Sequence, residues 1–476
     1  MVIGAYCVAS VLVYFFLHGI YRPENMDDTW FLSFAHSHIV NGVESDVAFG
    51  TEPGQGGYGG VMLFGKSFSY LYGTILNAVG WTKSTAHIVS ILCIILSAAC
   101  WIAILSKLGY SRRLALFFGA ALLLLEPFFG AANQARPDAL SFLLVSSSSL
   151  LFVSRRYFLA GFLATVAIEI HPVGISALLF MGTVVIARPE RSDKDKTISL
   201  TDILWVGAGV GVGVVYYLAL HASNLGLLPL VLTQGNTGGS EVNNILFEYY
   251  FKTKHLRHIP ELIIILICAG WYVFKRYDRE NRFIPVFFIA SLLFTLIIRR
   301  PNFMYAIYVY PAFLLLIFWT FERHGRLVLA AVLLLFYLLP QYAFVFVQNR
   351  SWDMGAYLSN VRALAAEDGS PIVGRPNDWF AFPNRTFYVD DYRGDFLAKA
   401  PAKFVLIEGD SFRNGAYPAL RSVANDLYTA SELGRFQSRG ETVVLYKMVK
   451  NTNQRGEQSA APLPSAPRTG PSEGAR

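Results

Sequence analysis

Charge is what this sequence has least of. Only 15% of its 476 residues are Asp, Glu, Lys or Arg, where an average soluble protein has about 25%. Apolar residues make up 54%, and mean hydropathy is +0.41. That balance excludes a disordered scaffold and argues against a water-soluble enzyme. Cysteine is scarce as well. Cys7, Cys93, Cys100 and Cys268 all lie in apolar runs, the setting of small core hydrophobes and not of a disulfide framework or a metal site. No basic stripe or aromatic-basic module accompanies the net charge of +7, so nucleic acid is not an expected partner. Lys and Arg facing the cytoplasm explain the surplus better. No internal repeat is present.

Abundant instead are apolar runs able to cross a bilayer of about 30 Å. They fall at 2–20, 85–106, 113–131, 137–153, 202–221, 259–274, 283–298, 304–320 and 327–347. A further run, 157–187, is too long for one span. Its interruption at Glu169, His171 and Pro172 predicts two short helices meeting at a turn, which makes eleven spans. The first run lacks a basic start and a small-residue cleavage site, and is read as a retained span. Segment 56–81 is apolar but broken by Gly56, Gly57, Gly59, Gly60, Gly65 and Lys66, and reads as an interfacial or re-entrant piece. With the N-terminus inside, the inner loops carry fifteen basic residues against nine on the opposite face, as the positive-inside rule requires.

Residues 350–476 hold 30 of the 73 charged side chains. The expected organisation is therefore a transmembrane domain at 1–349, a small soluble extracytoplasmic α/β domain at 350–450 and a disordered Pro/Gly/Ser/Ala-rich tail at 451–476. Within the soluble part the pattern predicts a helix near 355–367, strands at 371–374, 403–408 and 442–449, and a helix near 416–428. The expected class is an α-helical polytopic protein of the inner (plasma) membrane, with about eleven transmembrane helices and a cytoplasmic N-terminus.

Two outer loops are long, 21–84 and 222–258. The first reverses the global charge: residues 21–60 contain Glu24, Asp27, Asp28, Glu44, Asp46 and Glu52 against Arg22 alone. A solvated loop would account for that. Yet Asp27-Asp28 precedes Trp30, Phe31, Phe34, Ala35, Ile39 and Val40, an apolar spacing that predicts an amphipathic helix on the membrane. One carboxylate could cap that helix, or a raised pKa could fit one of the pair for general base work. Ionisable residues at span ends converge on the same outer face: Glu126, Arg136, Asp138, Glu169, His171, Arg299 and Arg300. In a membrane such groups tend to mark function, and arginines beside an apolar groove suit a lipid phosphate. Snorkelling explains Arg299 and Arg300 equally well, and a satisfied polar turn explains Glu169 and His171. His36 and His38 point to different helix faces and do not make a metal site. Glu44-Ser45-Asp46 has the acidic-x-acidic form of some metal-binding transferases, a form short enough to arise by chance. The glycines at 207, 209, 211 and 213 predict close helix packing.

These residues resemble a family. A first span followed by Met26-Asp27-Asp28-Thr29-Trp30 is similar to the C-type glycosyltransferase (GT-C) superfamily, in the branch of the protein O-mannosyltransferases and the lipid A aminoarabinose transferase. Ala135-Arg136-Pro137-Asp138-Ala139-Leu140 looks like that family's Arg-x-Asp at the fourth span. Glu169-Ile170-His171-Pro172-Val173-Gly174 occupies the turn where many relatives have Lys-Gly, and Arg300 through Tyr305 to Pro311 is similar to the basic-Tyr-Pro stretch beside the lipid-phosphate site. The resemblance covers roughly 1–350. It departs at Asp28, where Glu is usual, at His171, where lysine is common, and in lacking a Lys-Pro-Pro-like stretch. It implies an inverting transfer of one sugar from a polyprenyl-phosphate donor to an acceptor lipid, glycan or protein at the outer face. Asp27 would be the base and Asp28 would help position it. Arg299 and Arg300 would hold the donor phosphate, with Arg136, Asp138, Glu169, His171 and Tyr305 as further substrate-binding residues. No cofactor is required in that scheme. Two other readings fit a lipid groove with arginines: a transporter or flippase for a lipid-linked saccharide, and a non-catalytic membrane subunit. The loop at 222–258 is a candidate lid.

Overall fold

The computed structural model describes residues 2–20, 26–42, 65–187, 198–227, 258–274, 282–297, 303–350, 353–366, 368–389, 401–409, 427–438 and 440–451. In chain order the helices are α1 (Val2–Ile20), α2 (Met26–Asn41), α3 (Lys66–Val79), α4 (Lys83–Lys107), α5 (Arg112–Leu124), α6 (Glu126–Ala132), α7 (Pro137–Val153) and α8 (Tyr157–Ile170). They continue with α9 (Ser176–Ala187), α10 (Leu200–Leu220), α11 (Ile259–Phe274), α12 (Phe283–Ile297), α13 (Tyr310–Arg323), α14 (Leu327–Asn349) and α15 (Met354–Leu364). The chain forms two compact units. One takes Met1–Pro23, His38–Val43 and Val61–Arg350; the other takes Glu24–Ser37, Glu44–Gly60 and Ser351–Arg476.

The first unit is that of a multi-pass membrane protein. Lys83–Lys107, Leu200–Leu220 and Leu327–Val347 are each long and apolar enough to cross a bilayer, and shorter apolar helices accompany them. The run at 113–131 is not one straight helix. Its two halves, α5 and α6, meet at 60°, because Leu125 is extended and Pro127 cannot continue a helix begun before it. The run at 304–320 likewise begins as a 3-10 turn (Phe303–Tyr308), and α13 starts only at Tyr310, with Pro311 in its first turn. In 56–81 the helix is α3, opened by Gly65 at φ 89°, a conformation that needs glycine.

α8 and α10 approach backbone to backbone. A Cβ on Gly209 would lie 2.0 Å from the Phe158 carbonyl oxygen, whereas one on Gly207 or Gly211 would meet nothing within 4 Å. The glycine series therefore works through alternate members, the ones that the helical repeat turns toward α8. Of the cysteines, Cys93 and Cys268 are buried and Cys7 and Cys100 half-buried, all four as free thiols.

The second unit holds a five-stranded sheet: β1 (Ile372–Gly374), β2 (Phe387–Val389), β3 (Lys403–Gly409), β4 (Tyr428–Ser438) and β5 (Glu441–Lys450), in the order β2-β1-β3-β5-β4. The first three strands run parallel and the last two join antiparallel. Val373, Phe404, Leu406, Tyr428 and Met448 form its core. α15 buries Met354, Tyr357 and Val361, one helical face. Residues 416–426 of the helix expected near 416–428 lie outside the described residues, and Tyr428 opens a strand. Asp368, between α15 and β1, ties the sheet together. It accepts from the Ser370 amide at 3.0 Å and pairs with Lys403 on β3 at 3.2 Å and Lys447 on β5 at 3.1 Å.

Candidate functional site

In the first unit, α8 stops at Ile170 because Pro172 cannot extend it, and ionisable side chains gather at the turn. His171 Nδ1 accepts the Val173 amide at 3.3 Å, which places the proton of the neutral ring on Nε2. Its ring lies 5.0 Å from that of Tyr305. Arg136 and Asp138 flank Pro137 at the start of α7. The Arg136 Nε donates to Asp138 Oδ2 at 2.8 Å, with both residues buried. Tyr308, also buried, donates to the Asp138 carbonyl at 3.5 Å. Arg136, Asp138, His171 and Tyr305 thus come together, and Tyr308 joins them. The carboxylate fixes the plane of the guanidinium, the geometry in which arginine recognises an anion.

Glu169 does not join that group. Fully buried, it accepts from the Lys66 amide at 2.9 Å, from the Ser67 amide and from His221 Nε2 at 3.1 Å. Its carboxylate therefore meets the positive end of α3. Lys66 itself is buried, and its Nζ reaches the Leu220 carbonyl at 3.1 Å.

A third polar group surrounds His258, just before α11. His258 Nε2 pairs with Glu126 at 3.1 Å, and its Nδ1 lies 2.6 Å from the Tyr337 hydroxyl, which donates to Glu261 at 2.9 Å. Tyr310 also donates to Glu261. Glu261, Tyr310 and Tyr337 border an apolar cavity that includes Leu125, Ile264 and Phe313. Sequence reasoning picked Glu126 but missed His258 and Glu261. The signal was present, since an acid one turn into an apolar span is expensive without partners.

In the second unit, Asp27 and Asp28 fall in the first turn of α2. Asp28 and Thr29 are fully buried. Leu32 to Ser37 are all buried, Phe34 and Ala35 among them, while Trp30 and Val40 are exposed. The apolar spacing thus located the helix and its buried Phe34 and Ala35, but not the exposure of Trp30 and Val40. Thr29 donates to the Pro376 carbonyl, and His36 lies 3.0 Å from Asn384 Oδ1. Burial lowers the pKa of His36, offset by its bond to Asn384. His38 goes elsewhere, edge-on to Tyr70 in the first unit. Arg299, Arg300, Glu44 and Asp46 lie outside the described residues, as does 228–257 of the candidate lid. Among the described residues no three His, Cys, Asp or Glu form a metal site.

No protein-family model matches the sequence, and no curated protein matches it either. Solved structures do. ArnT from Cupriavidus metallidurans in its apo state matches at 12% identity and a TM-score of 0.57, covering 93% of this chain and 97% of that one. The same protein bound to undecaprenyl phosphate gives 11% and 0.58 over the same shares. The oligosaccharyltransferase of Archaeoglobus fulgidus, tethered to an acceptor peptide, matches at 11% identity and 0.53, covering 93% of this chain and 74% of that one. Both are C-type glycosyltransferases, and this chain has their fold.

Proposed function

We propose that the protein is an integral membrane glycosyltransferase that moves a hexose or pentose from a polyprenyl-phosphate donor to an acceptor lipid, glycan or protein, with inversion. Asp27 takes the proton of the acceptor hydroxyl. The oxygen attacks the anomeric carbon opposite the phosphate, the carbon–oxygen bond to phosphate breaks, and polyprenyl phosphate leaves with the electron pair. Asp28 positions the base. Arg299 and Arg300 hold the phosphate and offset its growing charge, and Arg136, Asp138, Glu169, His171 and Tyr305 complete substrate binding. The scheme needs no nucleotide sugar. The proposed topology has eleven spans in a membrane domain at 1–349, a cytoplasmic N-terminus, and 350–450 and the acidic helix on the outer side of the inner membrane.

The observation that carries this reading is an acidic pair in the first turn of the helix after the first span, in a chain that shares nearly its whole length with a fold that in ArnT accommodates undecaprenyl phosphate. Purified protein given a mixture of polyprenyl-phosphate sugars should release polyprenyl phosphate, and Asp27→Asn should lower that rate by about 10²–10⁴-fold, the usual worth of a general base. Release that is unchanged in Asp27→Asn rejects the assignment. Mass spectrometry of the donor consumed identifies the sugar.

A further inference from the structure

The second unit brings together two stretches of chain more than 300 residues apart: α2, which carries the acidic pair, and the loop that follows β1. Thr29 donates its hydroxyl to the Pro376 carbonyl. Seven residues on, and so on the same helix face about 10 Å further along the axis, His36 Nε2 bonds Asn384 Oδ1 at 3.0 Å. The His36 ring also stands edge-on to Trp379, with 5.9 Å between centroids. Two bonds at separate heights on one face fix both the rotation and the axial position of a helix. One bond alone would leave it free to swing.

The receiving loop is itself held more firmly than a connection requires. Asp378, fully buried, accepts the Arg375 amide at 2.8 Å and the Tyr357 hydroxyl at 2.6 Å. The Arg375 guanidinium lies over the Tyr357 ring and 3.5 Å from Glu441 on β5. Arg362 of α15 donates to the Ala381 carbonyl at 3.1 Å, and Arg385 to that of Ala365 at 3.1 Å. A buried carboxylate and a buried guanidinium are costly to desolvate, and here both go into fixing a loop whose other side receives α2.

We propose that Thr29, His36, Trp379 and Asn384 are positioning residues, through which the C-terminal sheet unit sets the placement of Asp27 and Asp28. This rests on the reading of Asp27 as the base. A catalytic carboxylate must be held to within about 0.5 Å, and a displacement of about 1 Å can cost 10²-fold in rate. The sheet unit is then part of the catalytic apparatus and not an appended module.

The test uses the full-length protein in detergent with the polyprenyl-phosphate sugar mixture. Thr29→Val keeps the shape and removes the hydroxyl, Thr29→Ser keeps the hydroxyl, and Asn384→Ala removes the second anchor. Thr29→Val and Asn384→Ala are expected to lower kcat roughly 10–100-fold with KM for the donor changed less than about threefold, and to move the acid limb of the kcat/KM pH profile. Thr29→Ser should restore most of the loss. Amide hydrogen exchange in 28–37 should speed up in both impaired variants, with α4 unchanged. Wild-type kcat in Thr29→Val and Asn384→Ala, or unaltered exchange in 28–37, overturns the proposal. An Asp27→Asn protein as active as the wild type removes the base role of Asp27 instead, and the exchange in 28–37 then decides by itself whether the loop holds the helix.

Discussion

A carboxylate taken out of water must be met by donors, and Glu169 and Asp138 meet that demand differently. Glu169 is satisfied largely by backbone amides of α3 and by His221. Glu169→Gln is therefore expected to destabilise the membrane unit by about 2 kcal/mol, the worth of hydrogen bonds to a charged acceptor. Exchange of the Lys66 and Ser67 amides should speed up with it. Asp138 instead pairs with the Arg136 guanidinium at 2.8 Å. Arg136→Met should cost about 3–5 kcal/mol in thermal unfolding, because it strands a buried charge, and adding Asp138→Leu should recover most of the loss. A double variant no more stable than the single one contradicts that account. The ionisable residues themselves were legible in the sequence, since each interrupts an apolar run. Their partners were not. Glu169 meets Lys66 and His221 from about 100 and 50 residues away, and no local pattern encodes such a meeting.

Elements were legible in proportion to how much of them is apolar. Most membrane helices stand close to where hydropathy puts them, because burial in lipid demands a continuous apolar run. The break at Leu125 needed the additional signal of Pro127. Strand β4 went unseen for the opposite reason. It is an edge strand whose residues are mostly exposed or half-buried, so it lacks the alternation that marks a strand with one face in a core. The glycine series of α10 gives a test at this scale. Gly209→Ala should push α8 and α10 apart and cost about 1–3 kcal/mol, since its Cβ has no room. Gly207→Ala and Gly211→Ala, which meet nothing, should be neutral or stabilise by up to about 1 kcal/mol through helix propensity. Thermal unfolding of the three variants in one detergent decides between packing and composition.

For the molecule as a whole, the two units should respond differently to acid. Burial alone would raise the pKa of the Asp368 carboxyl, but the Ser370 hydroxyl and amide, Lys447 and Lys403 outweigh it and hold the group below the usual carboxylate range. A carboxyl with a folded pKa below its unfolded value of about 4 stabilises fully above that value, and the contribution is lost as pH falls through the folded pKa. Exchange of β3 and β5 amides should therefore accelerate below about pH 4. In Asp368→Asn the same amides should be less protected at neutral pH and show a flatter acid dependence. The division of the chain into units has a consequence in time as well. Thr29 and His36 emerge from the ribosome early, while the residues that anchor them, Pro376 and Asn384, follow some 347 and 348 positions later. At about 5–20 residues per second, the acidic helix waits roughly 20–70 s for its seat. A nascent chain stopped after α14 would have its apolar helices but not the two anchors of α2, which form only once 376–384 has been made.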